Sequence, residues 1–315
     1  MKDQQATIVV NGLSRTFGDI IAVNELSFTV SRGELFGLLG PDGAGKTTTL
    51  RMLAGVMKPS AGDAVINGTS VVNNPEGVKH EIAYMSQHFG LYTDLTVSEN
   101  IHFYADLYLV PEKSRPARLE LLFEFSNLAP FQNRLAGELS GGMKQKLGLC
   151  CALIHQPAVL LLDEPTFGVD PISRRDLWLI VHEMVGQGTT VLVSTSYMDE
   201  AERFDRVALL YDGRLRALDT PQRLGQAMKG EILLLRTSDV RSAKKVVLEI
   251  SGVLGVIVFG ETLHVSVESS EKMAPVVEEQ LKKSGFEVLD MRTAEPGMED
   301  VFIEHMTGAR RGDDE

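Results

Sequence analysis

Residues Gly40-Pro41-Asp42-Gly43-Ala44-Gly45-Lys46-Thr47-Thr48 constrain the fold of this 315-residue chain more than any other stretch. They satisfy G-x-x-x-x-G-K-[ST], a loop whose glycines let backbone N–H groups wrap closely around phosphate oxygens with no Cβ in the way. Such a loop works only where a strand delivers it and a helix leaves it. The continuously apolar run 35–39 supplies the strand, and helical spacing over 47–53 supplies the helix, whose N-terminal dipole favours an anion. Lys46 then stands where it neutralises β- and γ-phosphates, and the Thr47 hydroxyl where it ligates Mg²⁺.

The pattern on either side is an α/β domain with a largely parallel sheet. Apolar runs at 8–10, 26–30, 64–66, 159–162, 190–194 and 207–211 read as further strands, several apolar throughout, as strands covered on both faces are. Helical spacing recurs at 97–108, 117–125, 143–153, 174–185 and 197–204. The character changes after Pro221. Strand (232–236), helix (240–250), two strands (256–259 and 263–267), helix (271–284) and strand (286–290) follow in the order βαββαβ, which predicts a small ferredoxin-like α+β domain. A short helix at 299–306 precedes an acidic tail. The expected domains are therefore 1–228 and 229–308, with the tail at 309–315.

Charge narrows the partners. The chain carries 43 acidic against 31 basic residues, a net of −12, which disfavours nucleic acid because phosphate-backbone binding needs clustered Lys and Arg. Residues 230–308 alone hold a net of −6, from eight Lys/Arg and fourteen Asp/Glu. The two cysteines, Cys150 and Cys151, are adjacent and cannot by themselves frame a metal site or a disulfide scaffold. They read as small buried apolar side chains in a reducing compartment. No run reaches the roughly 18 to 20 apolar residues that span a bilayer. Met1-Lys2-Asp3-Gln4-Gln5 lacks the apolar stretch of a secretory signal, so the expectation is a cytosolic chain.

Two further motifs complete the chemistry. Ala158-Val159-Leu160-Leu161-Leu162-Asp163-Glu164 is a buried strand ending at two carboxylates, at the sheet edge where α/β ligands bind. There Asp163 is placed to hold Mg²⁺ through water and Glu164 to polarise an attacking water as general base. Leu139-Ser140-Gly141-Gly142-Met143-Lys144-Gln145 reads as a helix start. Ser140 caps it, and Gly141 and Gly142 leave bare N–H groups for an anion.

With a P-loop upstream, and with the apolar run that ends in Asp163-Glu164 beginning 19 residues after Leu139, this Leu-Ser-Gly-Gly segment resembles the signature of the ABC ATPases. The likeness covers about residues 6 to 228. It implies a cassette with a parallel-rich core, an antiparallel β subdomain and a helical subdomain at about 88–156, binding ATP and Mg²⁺. It also implies that two cassettes sandwich two ATPs, with Ser140, Gly141, Gly142 and Gln145 completing the site on the opposite subunit. Gln87 resembles the residue that senses Mg²⁺ and leads into the membrane-facing region. Phe17 resembles the aromatic that stacks on adenine, although a lone Phe after a strand serves the core just as often. Asp170, in Gly168-Val169-Asp170, resembles the loop residue that crosses the dimer interface.

The pattern departs at two positions. Asp42 stands where Asn is commoner, at an unconstrained place in the motif. Ser196 stands where the family usually carries a His that bridges the γ-phosphate and the attacking water. Ser is shorter and uncharged, and a positioned proton-handling group is typically worth about 10²–10⁴ in rate. The expectation is a slow own site, paired with a second cassette that does carry the His, or else a weak homodimer.

Asp199-Glu200-Ala201-Glu202 and the late Glu295-Pro296-Gly297-Met298-Glu299-Asp300-Val301-Phe302 are similar to the branch of exporters with separate ABC-2-type membrane subunits, including drug-resistance ATPases. That resemblance implies a permease partner at the cytoplasmic face of the membrane. It also implies a contact groove over residues 87–108, where Leu91, Tyr92, Leu95, Phe103 and Tyr104 either meet the permease or fill the helical subdomain. A soluble ABC ATPase of translation or repair and a non-hydrolysing scaffold are the alternative readings.

Overall fold

A computed structural model describes residues 6–87, 90–228 and 230–312. The chain divides into two compact units, Met1–Leu218 and Asp219–Glu315, so the division falls earlier than the expected residue 228. Met1–Gln5, His88, Phe89, Lys229 and the end of the acidic tail, 313–315, lie outside the described residues, and so do the side chains of 307–312.

The first unit opens on a long antiparallel hairpin, β1 (Ala6–Phe17) and β2 (Ile20–Ser31). The fully buried β3 (Leu35–Leu39) follows, then α1 (Lys46–Leu53), β4 (Ala61–Ile66), β5 (Thr69–Ser70), α2 (Pro75–Glu81) and β6 (Ile82–Met85). Three helices come next: α3 (Val97–Leu107), α4 (Arg115–Ser126) and α5 (Gly141–Leu153). The unit closes with β7 (Val159–Asp163), α6 (Pro171–Gly186), β8 (Thr190–Thr195), β9 (Arg206–Tyr211) and β10 (Arg214–Asp219). One sheet has the order β2-β1-β4-β5; the other runs β10-β9-β3-β8-β7-β6, with β9, β3, β8, β7 and β6 parallel.

The core lies between these sheets. Ile8, Val10, Leu26 and Phe28 of the hairpin pack with Phe36, Leu38, Leu192 and Leu210 of the central sheet, and with Leu50 and Leu53 of α1. Phe28 and Phe36 stack with ring centroids 5.3 Å apart. This packing fixes the N-terminus of α1 at the carboxyl ends of the parallel strands, where ligands of open α/β sheets bind.

Local chemistry sets the helix starts. Thr96 and Glu99 form a reciprocal capping box on α3. Buried Asn100 ties the preceding turn together, donating to the carbonyls of Tyr92, Leu95 and Thr96 and accepting from the Tyr92 N–H. Cys150 and Cys151 are buried and unbridged on α5, and burial pushes the Cys150 thiol up to about 11.

The structure differs from the sequence reading at several elements. The helix expected over 197–204 is a six-residue 3₁₀ run, Met198–Arg203, where the buried Glu200 carboxylate accepts from Thr195 just upstream and from Trp178 on α6. α2, β6 and β10 carried no clear periodic signal: α2 buries only Val78, and β6 is four residues long.

In the second unit α7 (Pro221–Ala227) precedes β11 (Glu231–Thr237), α8 (Val240–Leu248), β12 (Val253–Phe259), β13 (Thr262–Val267), α9 (Ser270–Lys283), β14 (Val288–Ala294) and α10 (Met298–Gly312). The four strands form an antiparallel sheet in the order β12-β13-β11-β14, with α8 and α9 packed through Ala243, Val247, Val277 and Leu281. The Asp300 carboxylate is buried. One oxygen lies 2.9 Å from Nδ1 of His264 on β13, and the other accepts the Gly297 N–H at 2.9 Å. That pair fastens the start of α10 to the sheet and gives the late Glu-Asp-x-Phe element a structural basis.

Candidate functional site

Parallel register brings the site together. Met85 pairs with Leu162, Asp163 with Ser194 and Leu39 with Thr195, so four strands end at one level. Lys46 rises into this level from α1 and is only 4% exposed. Its ammonium donates to the carbonyls of Gly40 (2.8 Å) and Pro41 (3.0 Å) and pairs with Glu164 Oε1 at 3.1 Å. The amide of Gln87 donates to the other Glu164 oxygen at 3.3 Å. Glu164 sits at φ 48°, a left-handed conformation costly for a residue with a Cβ, and its N–H is held by the carbonyl and hydroxyl of Ser194.

Asp163 is the second hub. Its Oδ1 accepts from the Thr47 hydroxyl (3.0 Å) and the Ser194 hydroxyl (2.7 Å), and its Oδ2 from the Tyr84 phenol (3.2 Å). Burial, and then the Asp163 charge, push the Tyr84 phenol up to about 12, so it remains a donor. Thr47 and Asp163 present hard oxygen donors side by side, a set suited to Mg²⁺.

The loop fits an anion. Gly45 caps α1 with no side chain, and the first turn holds no acidic residue, so the helix N-terminus faces the loop without a competing carboxylate. Gly45 has φ 98°, and a Cβ there would lie 2.5 Å from the Ala22 carbonyl, so only glycine fits. The same contact places the β1–β2 hairpin tip beside the loop. Phe17 stands on that tip, 42% exposed, with the Arg15 guanidinium 4.6 Å from its ring.

The signature residues form a separate constellation. Ser140 caps α5 by accepting the Met143 N–H at 3.3 Å, and Gly141 is exposed with open space around it. Gly142 is pressed against α6: a Cβ there would come within 2.3 Å of the Ser173 side chain. Asp170 caps α6 through the N–H groups of Ser173 (2.9 Å) and Ile172 (3.1 Å), and the Ser173 bond leads in lowering its carboxyl pKa. Gln145 is half-buried, and its Oε1 has no hydrogen-bond partner. Among the described residues, no hydrogen bond or ion pair joins Ser140, Gly141, Gly142, Gln145 or Asp170 to the Lys46 cluster.

Ser196 is half-buried directly after β8. The segment that carries it is anchored through Thr195, which donates to buried Glu200 at 2.7 Å and accepts the Tyr197 N–H at 3.0 Å.

A family model for ABC transporters matches residues 23–167. The daunorubicin resistance ATP-binding protein DrrA3 of Streptomyces coeruleorubidus is 34% identical over 309 residues, which is 96% of either chain. This chain belongs to the ABC transporter ATP-binding family. The cassette is also 43% identical to the probable multidrug ABC transporter ATP-binding protein YbhF of Escherichia coli, over 96% of its own length. It spans only about half (53%) of the length of that relative. The Nod factor export ATP-binding protein I of Burkholderia lata is 40% identical over 70% of this chain and 72% of that one. Among solved structures, an ATP-binding subunit of an ABC transporter aligns with TM-score 0.65 and 31% identity over 70% of this chain and 92% of its own. A dimeric bacterial cassette at 24% identity, TM-score 0.62, covering 68% of this chain and 98% of its own, shares the fold.

Three residues of the cassette's site escaped the sequence reading: Ser194, Tyr84 and Glu200. Each lies within a segment singled out for another reason. Their roles depend on β6 and β8 both flanking β7 and on α6 lying over the end of β8, facts that no local pattern carries.

Proposed function

We propose that the cassette binds and hydrolyses ATP as the engine of an exporter, held at the cytoplasmic face of the membrane by separate permease subunits. The convergence of Lys46, Glu164 and Gln87 on one point, beside the Thr47–Asp163 pair, carries this reading. On ATP binding, Lys46 exchanges Glu164 for the β- and γ-phosphates. The N–H groups of the loop from Gly40 to Thr48, including Asp42, Gly43 and Ala44, wrap the same oxygens, and Phe17 stacks on the adenine. Thr47, Asp163 and Gln87 would hold Mg²⁺, which would supply charge neutralisation on the phosphates. Glu164, released from Lys46, takes the proton of the attacking water, with Gln87 steadying it.

Among the described residues, Ser140, Gly141, Gly142 and Gln145 make no hydrogen bond or ion pair to this chain's own Lys46 cluster, which supports a second cassette whose ATP they complete, with Asp170 at the interface. Ser196 supports a specific version of this pairing. A short neutral hydroxyl at Ser196, where the family usually carries His, weakens hydrolysis at this chain's own site, so the partner is a cassette with a His there. The names of the relatives (multidrug, daunorubicin resistance, Nod factor export) support efflux of drugs or other small hydrophobic compounds; a role in translation or repair has no such support. Tyr92, Phe103, Tyr104 and Tyr108 form a partly exposed aromatic run that continues into His155, a surface suited to a permease coupling helix. No described helix is long and apolar enough to cross a membrane.

ATP turnover by the purified chain tests the reading, with wild type beside Glu164→Gln and Ser196→His. Activity that disappears in Glu164→Gln and rises in Ser196→His supports an ATPase running on a weakened site. Ordinary family rates with no gain in Ser196→His refute the pairing with a His-bearing partner, and ATP binding without turnover in all three refutes independent hydrolysis.

A further inference from the structure

At the opposite end of the central sheet from the nucleotide site, where β7 and β8 begin, a cavity of about 550 Å³ opens within the first unit. β7 is five residues long, so about 17 Å of strand separates the cavity from Asp163. Four parts of the unit meet there: the Asn67-Gly68 turn of the antiparallel sheet, Ala158 just before β7 with Thr190 of β8, α4 with the end of α5, and the end of α6 with the turn after it. Junctions of this kind, at volumes of roughly 300–1,000 Å³, are where small-molecule sites concentrate.

The chemistry of the walls is selective. The floor is apolar, with Leu122, Leu153 and Met184 each buried. Gln156, Gln187 and Thr189 add neutral polar groups. Arg32 and Arg118 line the cavity, and no Asp or Glu stands among its described lining residues, in a chain whose net charge is −12. Arg118 is half-buried, and one of its nitrogens donates to the Ile154 carbonyl at 3.0 Å. Among the described residues neither arginine has a carboxylate within ion-pair distance. Two cations without counter-charge over an apolar floor are complementary to a molecule with an apolar body and an anionic end.

We propose that this cavity is a second ligand site of the cassette, taking a small amphipathic anion: one or two rings, or a short chain, bearing a single carboxylate, sulfonate or phosphate. Its apolar body packs on Leu122, Leu153 and Met184, and its anionic group meets Arg118 and Arg32. The ligand and the nucleotide bind at separate places, so neither displaces the other directly. The ligand also bears on signalling, because Leu153 ends the same helix that Ser140 caps, 13 residues away. A molecule wedged between α4, the end of α5 and the sheet restrains the tilt of that helix. This consequence for turnover rests on the function proposed above; the binding does not.

The test titrates the full chain with 8-anilinonaphthalene-1-sulfonate, with and without saturating ATP, reading probe fluorescence and calorimetric stoichiometry. The expected result is one saturable site that ATP does not displace and that Lys46→Ala leaves unchanged. Arg118→Gln and Arg32→Glu should each weaken it about tenfold or more, as loss of a charge-assisted contact does. Arg32 is exposed, so its variant keeps the test valid where Arg118→Gln impairs folding. The uncharged N-phenyl-1-naphthylamine should bind about tenfold more weakly. Displacement by ATP, indifference to both arginine substitutions, or equal binding of the uncharged analogue would overturn the proposal. Failure of ATP to bind at all, with the probe still held by the arginines, would count against the nucleotide reading alone.

Discussion

Nε1 of Trp178 on α6 donates to Oε1 of Glu200 at 3.1 Å, in the interior, and joins the helix capped by Asp170 to the segment that carries Ser196. The other Glu200 oxygen accepts from Thr195 at 2.7 Å, and Arg174 stands 3.8 Å from Oε1 with its guanidinium over the Tyr197 ring. A carboxylate this buried persists only because donors surround it. Glu200→Ala would leave the Trp178 N–H and the Thr195 hydroxyl without their acceptor. We expect a loss of about 2–4 kcal/mol, with Glu200→Gln losing clearly less. Urea unfolding followed by Trp178 emission measures both, since this is the chain's single Trp. Equal stabilities for Glu200→Ala and wild type would show that the cluster holds nothing.

Tyr84 donates to Oδ2 of Asp163, while Thr47 donates to Oδ1. Tyr84→Phe removes one donor to a charged group, a contact typically worth about 1.5–3 kcal/mol, so the Mg²⁺ concentration for half-maximal ATP binding should rise roughly tenfold. Binding measured without Mg²⁺ should hardly change, which separates this role from general damage. The raised phenol pKa also sets a sign. The stability linked to Tyr84 is complete below pH 10, and falls as pH rises from 10 through about 12.

Gly142 and Ser173 share space that admits only one Cβ substituent without movement. Gly142→Ala should therefore cost about 1–3 kcal/mol by overpacking, and Ser173→Gly in the same chain should recover part of that loss. A double-mutant cycle by thermal unfolding checks it; simple additivity would mean that α5 and α6 separate freely.

His155 stacks on Tyr108 with ring centroids 3.9 Å apart, and its Nδ1 is buried without a partner. Burial lowers its pKa below the ordinary 6.5. Because the folded chain resists this proton, the stability His155 contributes is present above pH 6.5 and is lost as pH falls through the lowered folded value. His155→Phe should flatten the fall in Tm between pH 7 and pH 5; an unchanged acid limb would assign it to other groups.

The sequence by itself determined the parts of the site whose geometry is local. Gly40 to Thr48 is a contiguous loop, Asp163 and Glu164 end one strand, and Ser140 to Gly142 start one helix, so each conformation follows from neighbours a few residues away. The sequence also showed the adjacent cysteines as buried and Ser196 in the place where the family usually carries His. Only the tertiary structure decided which strands stand side by side. Parallel neighbours are joined through long crossovers, and their order leaves no local pattern. For that reason Ser194 and Tyr84, both on Asp163, and Glu200, under Thr195, were invisible beforehand. The pairing of Lys46 with Glu164 across 118 residues belongs to the same class. So does the arginine-lined cavity: Arg32 and Arg118 are far apart in the chain and line one cavity only because α4, packed against α5 and α6, borders it together with the segments that lead into β7 and β8.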